Sequence, residues 1–404
     1  MNMYFGAATS SHQVEGGNNN NWSVWEEKNA ERLAREAEHN FGHLHTWPEI
    51  KFQAQNPRNY ISGMACDHYN RFAEDFNLAK SLGHNAHHFS IEWSRIEPEE
   101  GQFNQDEIEH YRKVVSALRA HGLEPFITLW HWTLPLWLAE QNGVQNKKFP
   151  QYFERYARTI MAALGTEVKF WITFNEPEVY VLNSYFRGIW PPQHKGIFSF
   201  YRTVAQLIRA HKRIYQILKN QFPFASIGIV CNLSYFESAG GLINSLLKVG
   251  AERIWNHHIL GHLKREIDFI GLNYYFHNRI NFGFNRNRNE QVSDMGWEIY
   301  PNGIYHVIKD LQHYNLPIYI TENGIADAKD AQRASFIREH LDWVRKAIDE
   351  KYNVQGYFYW SLLDNFEWDK GFWPRFGLIE VDYATQERKI RPSAWEYKKI
   401  IENW

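Results

Sequence analysis

The 404 residues carry 44 basic and 46 acidic side chains, a balance that argues against a general nucleic-acid or anionic-membrane surface. The two cysteines, Cys66 and Cys231, fall in no spacing motif. That excludes a disulfide framework and argues against a cysteine-held zinc. Tyr4 to Ala8 opens the chain as a short strand, and Thr9 to Gly16 follows as a polar loop. Asn18 to Asn21 reads as a tight surface loop, and residues 26 to 60 read as charged and irregular. His39, His43 and His45 lie in that stretch, but their spacing fits no common metal site.

From Asp67 a regular alternation begins. Asp67 is placed to cap a helix whose apolar positions Tyr69, Phe72, Ala73, Phe76 and Ala79 follow the 3.6-residue period, with Gly83 closing it. Asn85 to Trp93 is then a strand. A helix through Ile108, Tyr111, Val114, Val115 and Leu118 leads to the strand Glu124 to Trp130. A third helix through Phe153, Tyr156, Ala157, Ile160 and Leu164 leads to the strand Phe170 to Phe174. The pattern repeats less cleanly. Helical stretches at 203–220, 251–265, 303–314 and 331–350 precede strands at 226–231, 268–274, 317–321 and 354–360. A polar helix from about Pro392 ends the chain. Eight strands alternating with helices imply a parallel sheet closed into a single (β/α)8 barrel over residues 1–404. An open doubly wound sheet would want a glycine-rich phosphate loop after its first strand, and Gly16-Gly17 is no such loop.

Two strands each end on a glutamate. Phe170 to Phe174 runs into Asn175-Glu176-Pro177, and Pro317 to Thr321 runs into Glu322-Asn323-Gly324. In a barrel the residues just past the strand C-termini converge on one mouth. Paired carboxylates there suit the cleavage of a glycosidic bond, one as nucleophile and one as proton donor, about 5 to 5.5 Å apart for retention of configuration. On this reading Glu322 is the nucleophile and Glu176 the acid/base, kept protonated by the charge of Glu322. The 17 Trp, 22 Tyr and 27 Phe serve partly as core and partly as flat surfaces for sugar faces.

The chain resembles the family 1 glycoside hydrolases, the β-glucosidase family, over essentially its whole length. The motifs that carry the resemblance are Gln13-Val14-Glu15-Gly16, Trp130-His131-Trp132, Thr173-Phe174-Asn175-Glu176-Pro177, Gly271-Leu272-Asn273-Tyr274-Tyr275, Ile320-Thr321-Glu322-Asn323-Gly324 and Trp360 to Trp368. The resemblance implies that Tyr275 bonds the nucleophile. It implies that Gln13, His131, Trp132, Asn175, Glu367 and Trp368 hold the non-reducing sugar, and that Trp360 stacks on it. Trp297 matches the platform on the aglycone side, and Asn232 is a further candidate there. Asn273 either contacts the sugar or braces the carboxylates. No metal or organic cofactor is implied.

Two departures stand out. His88 occupies the place of an arginine that holds the family's nucleophile ionised. A histidine does that only when protonated, so Glu322 is expected to titrate higher than is usual; Arg95 is a candidate substitute. The segment from about 237 to 255 looks trimmed, which predicts a more open aglycone side and acceptance of long or bulky aglycones. A charge at Glu367 would repel a 6-phosphate, favouring unphosphorylated β-glucosides, with β-galactosides and β-fucosides as secondary substrates. Expected partners are small β-glucosides and short oligosaccharides, not nucleic acid or membrane. The alternatives are a transglycosylase and a sugar-binding protein that has lost catalysis. The N-terminal residues show no basic region followed by an apolar run, so the expectation is a cytoplasmic protein without a signal peptide.

Overall fold

The computed structural model describes residues 3–165 and 167–404. Eight strands form the closed barrel: β1 (Tyr4–Ala8), β2 (Ala86–Ser90), β3 (Glu124–Trp130), β4 (Phe170–Asn175), β5 (Ser226–Asn232), β6 (Phe269–Asn273), β7 (Ile318–Asn323) and β8 (Val354–Trp360). Each pairs in parallel with its neighbours in chain order, and β8 closes on β1. All eight predicted strands are present. The second is shorter than expected, because the chain turns into a short helix at Trp93–Ile96.

Both faces of these strands are covered, by helices outside and by one another inside. This is why most of them read as unbroken apolar runs. The lumen is plugged by aromatic rings. Phe126 and Phe170 stack at 4.1 Å, and Tyr319 packs 5.1 Å from Phe126 and 5.2 Å from Phe269. Tyr4, Phe170, Phe269 and Tyr319 stand at or next to the start of their strands. They fill the N-terminal end of the barrel and leave the C-terminal end for the site. Gly228 on β5 makes room for this plug: a Cβ there would lie 2.5 Å from the Phe269 ring. Part of the aromatic excess is thus core, as read from the sequence.

The helical layer departs from the sequence reading in several places. Residues 26 to 60 are not irregular: α1 (Asn21–Phe41) and a second helix at Trp47–Ala54 occupy most of them. The asparagine run is the start of α1 rather than a free loop. The buried Asn20 side chain accepts from the backbone N–H of Trp22 and Ser23, and the Ser23 hydroxyl accepts from Asn20 N. Thr9 to Gly16 contains a helical turn at Ser11–Val14. Asp67 stands before α2 (His68–Ser81), but its side chain makes no cap. It accepts from the Asn70 amide at 2.6 Å instead. Between β5 and β6 the chain forms α3 (Leu242–Ala251), a π-helical turn at Glu252–Asn256 and a short helix at His258–Leu263. Two short parallel strands, Tyr235–Ser238 and His277–Ile280, were not read from the sequence. No helix among the described residues is long and apolar enough to cross a membrane. None of the described His, Cys, Asp and Glu residues form a group of three or more able to hold a metal.

Candidate active site

The strand register breaks where the two glutamates stand. Irregularities lie between Ile172 and Asn175 in the β4–β5 pairing, and between Leu272 and Asn273 in the β6–β7 pairing. Such breaks re-aim side chains at a barrel rim. Glu176 follows β4 with φ of 44°, and Glu322 is the second-last residue of β7. Glu176, Trp132 (φ 74°) and Trp368 (φ 48°) are non-glycine residues in the left-handed region. Strain of this kind persists where the surroundings over-determine it, and it clusters at working sites.

Both carboxyls open on one cavity of about 800 Å³ at the C-terminal mouth. Gln13, His131, Trp132, Asn175, Asn232, Tyr275, Trp297, Trp360, Glu367 and Trp368 line the same cavity. Every residue the sequence placed on the reaction, the sugar or the aglycone therefore reaches it; Asn273 stands behind, and His88 and Arg95 are not among the lining residues. Asn273 pairs in register with Glu322. Its amide donates to Glu176 Oε1 at 2.8 Å and to Asn175 Oδ1 at 3.4 Å, while its oxygen accepts from Thr321 Oγ1 at 2.7 Å. Asn273 is a brace. Asn232 is a second: its amide donates to Glu176 Oε1 at 3.0 Å.

The Tyr275 hydroxyl donates to Glu322 Oε2 at 2.9 Å. Glu322 Oε1 is buried and has no partner, so one oxygen is held and the other is free. Burial raises the pKa of Glu322 well above the ordinary glutamate range; the charge of Glu176 adds to this, and the Tyr275 bond opposes it. Burial also raises Glu176, to about 7, against the two asparagine bonds. The dominant cause for Glu176 is thus burial rather than the neighbouring charge expected from the sequence. Because the carboxyls feel one another, they release their protons as a pair.

His88 supplies no charge to this pair. It is buried, with Nε2 2.7 Å from Thr128 Oγ1 and Nδ1 3.3 Å from the Thr321 carbonyl. Burial lowers its pKa to about 4, so it is neutral wherever the enzyme would work. Arg95 is no substitute: its guanidinium is spent on Glu15, at 2.9 Å, and on the Gly16 carbonyl. Replacing His88 by glutamine, which is neutral and can bond both partners, is expected to leave the acid limb of the pH profile of kcat/KM in place. A limb that moved to higher pH would show that His88 carries the charge denied to it here.

The remaining polar groups are more committed than their sequence suggests. The Gln13 amide donates to the Phe366 carbonyl at 2.8 Å and Asn365 Oδ1 at 3.1 Å, and its oxygen accepts from Ser10 Oγ at 2.7 Å. Trp132 Nε1 donates to the Asn175 carbonyl at 2.9 Å. The Trp132 ring packs 4.7 Å from Trp368 and 4.8 Å from Trp190, a wall residue that sequence reading missed. His131 Nε2 meets the Asn175 amide at 3.2 Å, while Nδ1 is buried without a partner. Burial holds His131 neutral. An accepting Nε2 puts its proton on Nδ1, which leaves a free donor. Glu367 is raised by burial to about 8, with Lys370 opposing. It is largely protonated near neutrality, so the repulsion of a 6-phosphate expected from its charge is weaker than the sequence implied. Glu178, also missed, is buried behind Glu176, accepts from Asn232 N and is raised well above the ordinary range by burial. Nothing in the sequence distinguishes it from a solvated helix glutamate.

The family model for "Glycosyl hydrolase family 1" matches residues 1–257 and 252–404. The chain belongs to glycosyl hydrolase family 1. It is 33% identical to Beta-glucosidase A of Thermotoga maritima over 452 aligned positions, covering 99% of this chain and 96% of that one. A beta-glycosidase from Pyrococcus horikoshii superposes with a TM-score of 0.86 at 36% identity, covering 99% of this chain and 93% of that one. The Thermotoga maritima beta-glucosidase in complex with glucoimidazole superposes at 0.85 with 32% identity, covering 100% and 98%. This family 1 chain is a glycoside hydrolase of the (β/α)8 fold, and its relatives support retaining β-glycosidase activity.

Proposed function

We propose that this family 1 enzyme hydrolyses terminal non-reducing β-D-glucosyl residues of unphosphorylated glucosides by double displacement. The observation that carries the reading is the shared cavity: Glu322 is held by Tyr275 through one oxygen, and Glu176 is held by two amides on the facing strands. Glu322 Oε1 attacks the anomeric carbon, and Glu176 gives its proton to the glycosidic oxygen as that bond breaks. The aglycone leaves as an alcohol. Glu176, now a carboxylate, takes a proton from water, the hydroxide attacks the same carbon, and Glu322 is released. Gln13, His131, Asn175, Glu367 and Trp360 contact the sugar in that scheme, and Trp297 the aglycone. Trp132 and Trp368 wall the sugar side, and Asn232 serves Glu176 rather than the aglycone. β-Galactosides and β-fucosides are secondary substrates. A sugar acceptor in place of water would give transglycosylation through the same intermediate.

The test is nitrophenyl β-glucoside turnover followed by the anomeric form first released. The expected product is β-glucose, and kcat/KM is expected to fall as pH rises through about 7. The two buried carboxyls hold one proton between them below that pH, which must sit on Glu176 for donation while Glu322 is ionised for attack, and above it that shared proton is lost. Release of α-glucose first, or a profile still rising at alkaline pH, would contradict the assignment. Absence of turnover would point to a sugar-binding protein.

A further inference from the structure

Helix α3 is built inside out. Its one buried residue is an asparagine, Asn244, while Leu242 is 77% exposed, Leu246 63% and Val249 48%. Both ends of the Asn244 side chain are bonded: its amide donates to the Gly240 carbonyl at 2.8 Å, and its oxygen accepts from Phe282 N at 2.7 Å. That bond pins the segment carrying Phe282 and Phe284, both exposed, beside the helix. Ile254, on the π-helical turn, is exposed as well. Apolar residues scattered singly on a surface are ordinary, but a contiguous apolar groove marks a binding site.

Beside this face lies a groove of about 740 Å³ whose walls are dominated by Ile243, Leu246, Leu247, Ile254, Phe236 and Phe284. It adjoins the catalytic cavity: Leu182, Trp255 and Phe276 line both. The side on which it joins is fixed by the chain. Asn232, which holds Glu176, ends β5, and two and four residues later Ser234 and Phe236 line the groove. Glu176 protonates the departing oxygen, so the groove begins where the leaving group departs.

We propose that this groove is a subsite for the apolar tail of an amphiphilic β-glycoside, an alkyl or acyl chain carried by the aglycone. The proposal rests on the β-glucosidase reading above and adds the class of leaving group. A sugar seated between the carboxyls leaves its chain lying past Phe276 and Trp255 along α3. Each methylene removed from water there is worth about a fourfold gain in binding at full burial, and about twofold at half burial.

The experiment compares kcat/KM for butyl, hexyl and octyl β-glucosides, kept below their micelle concentrations, with that for nitrophenyl β-glucoside. It uses the wild type and the variants Leu246→Asp and Ile254→Asp, whose exposed sites tolerate a charge. The wild type is expected to gain about tenfold or more from butyl to octyl. The variants should lose most of that gain while keeping nitrophenyl turnover within about twofold. A flat chain-length series in a wild type that turns over the nitrophenyl substrate overturns the proposal, as does a series the variants leave unchanged. A flat series together with a dimer that Leu246→Asp splits assigns the face to a second copy instead, and also overturns it. Failure to turn over the nitrophenyl substrate overturns the β-glucosidase reading itself.

Discussion

Replacing Glu322 by glycine is expected to lower nitrophenyl β-glucoside turnover by roughly 10⁴-fold or more, since a residue acting as nucleophile has no understudy. Nothing else at the mouth can take its part. On the proposed reading Glu176 serves the leaving group, and Glu367, raised by burial to about 8, serves the sugar. The truncation leaves room beside the Tyr275 hydroxyl that held Glu322 Oε2. Azide added to the variant is expected to enter that room, attack the anomeric carbon once and depart with it. The product is α-glucosyl azide, inverted because only one displacement takes place. Restored turnover with a β-configured product, or a variant as active as the wild type, would remove Glu322 from its role.

The second large effect belongs to Glu176→Ala, and it depends on the leaving group. A proton donor matters in proportion to how badly the departing oxygen needs the proton, and general acid catalysis typically contributes 10²–10⁴-fold. The variant is expected to lose roughly that much on an alkyl β-glucoside and far less on a dinitrophenyl β-glucoside, whose phenolate leaves unaided. With the donor gone, the fall of kcat/KM through about pH 7 should vanish with it. The asparagine amides of Asn232 and Asn273 then lose their acceptor. A buried amide left unpaired costs about 1–3 kcal/mol, so the thermal midpoint is a useful check that the fold survives. An equal loss on both substrates would contradict an acid/base role.

The barrel was legible because its strands, buried on both faces, spell continuous apolar runs, and because glycines close several of the helices. The two glutamates were legible because each ends such a run. What escaped follows from patterns that composition hides. Helix α1 presents Ala30, Ala34 and Ala37 to the core, and small residues weigh little against a charged background. Its cap, Asn20, was concealed in a row of four asparagines. The segment that forms helix α3 was read as part of a trimmed loop, and only the coordinates show a helix there with its leucines facing outward. The commitments of Gln13 and Trp132 to their own scaffold depend on contacts across the barrel mouth that no local pattern encodes. His88 was read as a departure from the family pattern, and its neutrality comes from burial, which the strand sequence alone does not reveal.

The central claim is that Glu322 forms the covalent bond to the sugar. A 2-deoxy-2-fluoro-glucoside with a good leaving group slows the second displacement and lets the glucosyl-enzyme accumulate. Digestion and mass spectrometry of the inactivated protein should then find one fluoroglucosyl group, on the peptide containing Glu322. A label on Glu176 or another side chain, or inactivation without any label, would contradict the account.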